Sequence, residues 1–168
     1  SMGRLAGLRR RVSATDELKA QIDTIEESYE YFLAYAAQGV SGEQATKSSG
    51  QVREFLKRSD GALPQLADLF QKVVDEKQVE QSEHYKNFIE VLRRDAENAL
   101  SAVRLVLAQD SISSQMIDNL NAMIHLRALL TDVFLIDEIL SPHGGPVAAA
   151  PPGAVAPPGE ASGEASVS

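Results

Sequence analysis

The sequence predicts an all-α protein: an antiparallel bundle of four to five helices followed by a disordered tail. Three observations carry this. From Gln65 to Leu140 the chain runs 76 residues without glycine or proline, the two residues that most often punctuate turns. Its apolar residues recur at steps of three and four, the helical period. From Ser141 to Ser168, by contrast, 11 of 28 residues are Gly or Pro. The chain divides into a basic N-terminal arm (1–12), a helical body (13–140) and a Pro/Ala/Gly-rich tail (141–168). A body of that size can build a core without disulfides or metals.

The first helix opens at Ser13, with Asp16 three residues on as in a capping box. Leu18, Ile22, Ile25, Tyr29, Phe32, Leu33 and Ala36 form its stripe, and Gly39 stops it. A short or broken helix follows from Ser41 to about Lys57, with Val52, Phe55 and Leu56 inward. Ser59-Asp60-Gly61 reads as a turn. Pro64 suits a first helical turn, where its missing N–H costs nothing. From there two readings compete. One continuous helix over 64–109 would be about 70 Å long, and the absence of Gly and Pro favours it. The polar stretch Asp75–His84, with only Val79 apolar, favours a turn near Gln81-Ser82. The continuous helix is the expectation. Asp110–Ser114 clusters cap-forming residues and marks the next break. The last helix is expected to run unbroken from Ser114 to Leu140. Beyond Ile124 it is apolar on most of its circumference, as for a helix buried on all sides or against another subunit. The tail lacks the large apolar residues a core requires.

Charge limits the partners. Arg4, Arg9, Arg10 and Arg11 lie together without an acid, the body carries −10, and the whole chain −8. An acidic body argues against general nucleic-acid binding, which needs a basic footprint. Within the body, Lys47–Arg58 is a locally basic stretch that a nucleic-acid-binding subunit could use. No apolar run is long enough to span a membrane. No signal-peptide pattern follows the N-terminal arginines. A cytoplasmic location is therefore the expectation. Cysteine is absent, which removes thiolate metal sites.

Few residues suggest chemistry. Glu80, Glu83 and His84, with Glu27 and Glu30 on the first helix, carry the residue types of metal-carboxylate bundles, yet no Glu precedes a histidine by three. His125 lies seven residues from both Asp118 and Asp132, on one stripe of the expected last helix. It is the candidate phospho-acceptor of a histidine phosphotransfer-like protein, although the run Ile124–Leu129 lacks an acid directly after the histidine. Neither arrangement is complete, so no enzyme, metal or cofactor is expected. Tyr31 lies nearly opposite the core stripe of the first helix and Tyr35 at its edge, and exposed tyrosines serve as interface anchors. Arg9, Arg10 and Arg11, beside Leu5, Leu8 and Val12, could dock an acidic body, its own or a neighbour's, or an anionic membrane surface. The reading that results is a non-enzymatic interaction or assembly module, self-associating through helical faces.

Overall fold

A computed structural model describes residues 12–47 and 49–141, and these form helices joined by short loops with no strand among them. The elements are α1 (Ala14–Ala37), α2 (Glu43–Lys47), α3 (Ser49–Ala62), a 3-10 turn at Leu63–Gln65, α4 (Leu66–Lys77), α5 (Ser82–Leu107), α6 (Ser114–Ala122) and α7 (Ile124–Leu140). α1 packs on α3, α4 and α6, and α5 packs on α3, α4 and α7, which makes an all-α bundle around one core. The arginine arm at residues 4–11 and the tail from residue 142 lie outside the described residues.

Local signals place the ends of α1 and the start of α6. The Ser13 Oγ accepts from the Asp16 amide at 3.1 Å, satisfying one of the donors a helix start leaves open. Gly39 adopts φ +67 just past α1, a conformation that costs a glycine nothing. Ser113 repeats the Ser13 cap on the Met116 amide at 3.1 Å. Leu18, Ile22, Ile25 and Phe32 of α1 are buried, as are Val52 and Leu56 of α3.

Three helix boundaries differ from the sequence reading. The 64–109 helix does not form. α4 ends at Lys77 and α5 begins at Ser82, with Gln78 and Gln81 both in the left-handed region at φ 47 and 59. Left-handed backbone costs a non-glycine residue about 1 kcal/mol. Packing offsets that cost: the turn lets Val79 reach the core and folds Phe70 back to Tyr85, with ring centroids 6.2 Å apart. A continuous helix would have left this end of α4 without a partner. The last helix is likewise two helices, because Met123 has ψ 133 and turns the chain. The Met123 amide closes α6 on the Leu120 carbonyl at 3.2 Å, and the Met123 carbonyl opens α7 by accepting from Arg127 at 3.1 Å. α6 can then lie on α1 while α7 lies on α5, which one straight rod could not do. Lastly, Ser59-Asp60-Gly61 is helix rather than turn. α3 runs through it to Ala62, and the Ser59 hydroxyl donates to the Phe55 carbonyl at 3.0 Å.

Candidate interaction face on helices α5 and α7

Helix α7 buries Leu126, Leu129, Leu130, Val133 and Ile136. Its other side is still apolar: Ile124 is 78% exposed, Leu135 51% and Ile139 47%. At 100° per residue these three fall within about 60° of each other, so they form one outward stripe. α5 runs antiparallel alongside, because Asp95 faces Asp132 while Tyr85 and Phe88 meet Leu135 and Ile139. On α5, Val91 and Leu105 are exposed and lie within about 40° of one another. The helix pair thus exposes apolar side chains near both ends of α7 and on the flank of α5, with Asn98 and Thr131 exposed between them. At one end the face deepens into a cleft of about 200 Å³ lined by Phe70, His84, Tyr85, Phe88, Leu135 and Ile139. Several large apolar side chains exposed on one helix pair make this the candidate binding surface.

Carboxyl groups flank α7 on both sides. Towards α5, Asp132 is half-buried and its Oδ2 has no donor beside it. Burial pushes its pKa up to about 8, and the neighbouring Asp95 adds a hydrogen bond to the neutral acid and repulsion of the ionised one. A proton on Asp132 resolves both problems, since the neutral acid donates to Asp95 and supplies what the ionised form lacks. Towards α1, burial raises Glu26 to about 7, with Asp137, Asp23 and Glu30 adding repulsion. Its Oε1 is also without a partner. Asp23 is raised by burial, then by Asp137 and Glu27, against which Lys19 acts. α7 therefore sits between two carboxyl groups, Asp132 and Glu26, that burial pushes well above the usual carboxylate range.

The residues singled out in the sequence are dispersed. Tyr35 is the clearest correction. It is 1% exposed, and its hydroxyl donates to the Ile112 carbonyl at 2.6 Å, while the Ser114 hydroxyl donates to the Tyr35 carbonyl at 2.6 Å. Ser114 also accepts from the Val40 amide at 2.8 Å and donates its own amide to the Val40 carbonyl at 2.9 Å. Tyr35 thus ties α1 to the loop before α6 rather than offering a contact outside. Tyr31 is half-buried, stacked on Phe55 of α3 with centroids 4.4 Å apart. Tyr31 faces α3 and Tyr35 the loop before α6, elements invisible to a wheel drawn on α1 alone. Arg9, Arg10 and Arg11 lie outside the described residues.

His125 is exposed in the first turn of α7. The turn at Met123 removes it from the helix that carries Asp118, so the three-residue stripe does not exist. Two of the four cations of the basic stretch are also engaged. Arg53 donates through Nε to Ser49 at 3.3 Å and through Nη1 to the Leu107 carbonyl at 3.1 Å, and Nη2 reaches the Gln109 carbonyl. A guanidinium there satisfies the open carbonyls at the α5 C-terminus and opposes its dipole. Arg58 pairs with Glu54 at 3.5 Å and lies over the Phe55 ring. Among the described residues no group of three or more His, Asp or Glu side chains is arranged to hold a metal ion. No described helix is long and apolar enough to cross a membrane.

Sequence reasoning found the breadth of apolar character on α7 but missed the carboxyl pairs. Asp95 and Asp132 stand on different helices, and only the α5–α7 contact joins them. No family model matches the chain, and no match is found among curated proteins or solved structures. The surface itself must carry the functional argument.

Proposed function

We propose that the protein is a non-enzymatic assembly module that self-associates through the α5–α7 face. The supporting observation is the outward stripe of Ile124, Leu135 and Ile139 on a helix whose opposite side is already buried. A 17-residue helix is about 25 Å long, and two adjacent helices present about 20 Å of width. The face therefore projects on the order of 500 Å² per chain, which for two copies reaches the low end of specific interfaces. A two-fold arrangement places the same stripe on both sides of the contact. The charge of −8 on each chain opposes association, so added salt strengthens it.

Molar mass by light scattering across a dilution series tests this reading. The expected mass is a stable multiple of 18.1 kDa. Leu135→Glu with Ile139→Glu is expected to give a monomer, because each glutamate would be desolvated in the contact. Leu33→Glu, at an exposed apolar position on α1, leaves the mass unchanged. A wild-type monomer at all concentrations would end the self-association reading.

A further inference from the structure

We infer that the cleft at the end of this face is filled by the chain's own proline-rich segment, residues 150–158. The cleft is shaped for short, flat apolar groups. Four of its six lining residues are rings, from Phe70 of α4 and His84, Tyr85 and Phe88 of α5, and the remaining two are Leu135 and Ile139 of α7. The Phe70 and Tyr85 rings are tilted 57° to one another, forming a corner rather than a flat wall. At about 200 Å³ it lies below the roughly 300–1,000 Å³ of pockets that enclose cofactors or drug-sized ligands. A whole helix has no room there. One or two side chains from an extended segment do.

Proline fits that description. Its ring is apolar, its nitrogen needs no acceptor, and its φ is fixed before binding, so little freedom is lost. Extended proline-rich segments dock in aromatic-lined grooves for these reasons. The sequence holds one such segment close by: Ala150-Pro151-Pro152-Gly153-Ala154-Val155-Ala156-Pro157-Pro158. The tail leaves the body at the cleft itself, since Ile139 lines the cleft and Ser141 is the last described residue. Eight residues separate Ser141 from Ala150, and a linker of that length has a typical reach of about 14–17 Å. Neighbouring helices stand only about 8–10 Å apart, so the whole cleft is within range. Tethering at that distance corresponds to a millimolar effective concentration, at which even a weak proline–ring contact is populated. The basic arm suits this cleft less well, because a lining with almost no polar surface offers its arginines no partner. Occupancy requires one chain only. It would cover Leu135 and Ile139 and so compete with the proposed contact.

The absence of cysteine makes a direct test clean. Full-length chain with Ala154→Cys is labelled with a nitroxide, and methyl NMR signals are compared with those of the reduced label. The expected result is loss of the Leu135 and Ile139 methyl signals, with the Leu33 signal on α1 retained. The same label is then placed in a chain carrying Pro151→Ser, Pro152→Ser, Pro157→Ser and Pro158→Ser. There the Leu135 and Ile139 signals return, because tail length is unchanged but the prolines are gone. Equal broadening in both chains would reduce the effect to tethering and overturn the inference, as would no broadening in either. A third sample mixes spin-labelled, isotopically silent chain with unlabelled, isotopically visible chain. Retained signals there support the chain's own tail as occupant, whereas loss assigns the cleft to a second copy's tail and refutes the intramolecular claim.

Discussion

Replacing Asp132 by asparagine should stabilise the protein, increasingly so as pH rises. Burial and the facing Asp95 raise the Asp132 pKa from 3.8 to about 8, so between those values the folded chain holds a proton that the unfolded chain releases. The stability contributed by this group is complete below about pH 4, falls as pH rises, and is lost as pH passes about 8. From pH 5 to pH 8 the full slope of about 1.4 kcal/mol per pH step amounts to about 4 kcal/mol. Asp132 is only half-buried, and solvent screening reduces this to about 2 kcal/mol. Asparagine keeps the shape, donates its amide to Asp95 and cannot ionise. The advantage of Asp132→Asn over wild type should therefore grow by about 2 kcal/mol between pH 5 and pH 8, or roughly 8 °C in Tm for a body of this size. Urea or thermal unfolding at matched ionic strength measures it. Glu26, raised to about 7 by burial and by Asp137, Asp23 and Glu30, adds a slope of the same sign on the α1 side of α7. A comparison of the two proteins cancels that contribution. Parallel stability curves for variant and wild type, or a less stable variant at pH 8, would refute the placement of Asp132 against Asp95.

Two substitutions test other parts of the fold. Tyr35→Phe removes the hydroxyl that serves the buried Ile112 carbonyl, and should cost about 1–3 kcal/mol in chemical denaturation. A loss within error would mean that this carbonyl finds another donor. Gln78→Gly relieves left-handed backbone at φ 47 and should stabilise by up to about 1 kcal/mol, with no change in helix content by circular dichroism. If it destabilises, the turn between α4 and α5 lies elsewhere.

The sequence alone determined the features whose signals lie within one or two turns of helix. The Ser13 and Ser113 caps each join residues three apart, Gly39 acts on its own backbone, and the stripe from Leu18 to Phe32 repeats every three or four residues. These suffice for an all-α fold and for most of the inward faces. Where the rods bend was decided by packing. No glycine or proline marks the turns at Gln78–Gln81 and Met123, which form because straight helices would leave Val79, Phe70 and α7 without partners. The same holds for Tyr35, whose hydroxyl meets a carbonyl 77 residues away, and for Asp132, whose unfavourable neighbour stands on α5. A helical wheel shows which side of one helix differs from the other, but not what stands opposite. Burial is a property of the assembled bundle. It turned the off-stripe tyrosines inward and left the apolar side of α7 facing solvent.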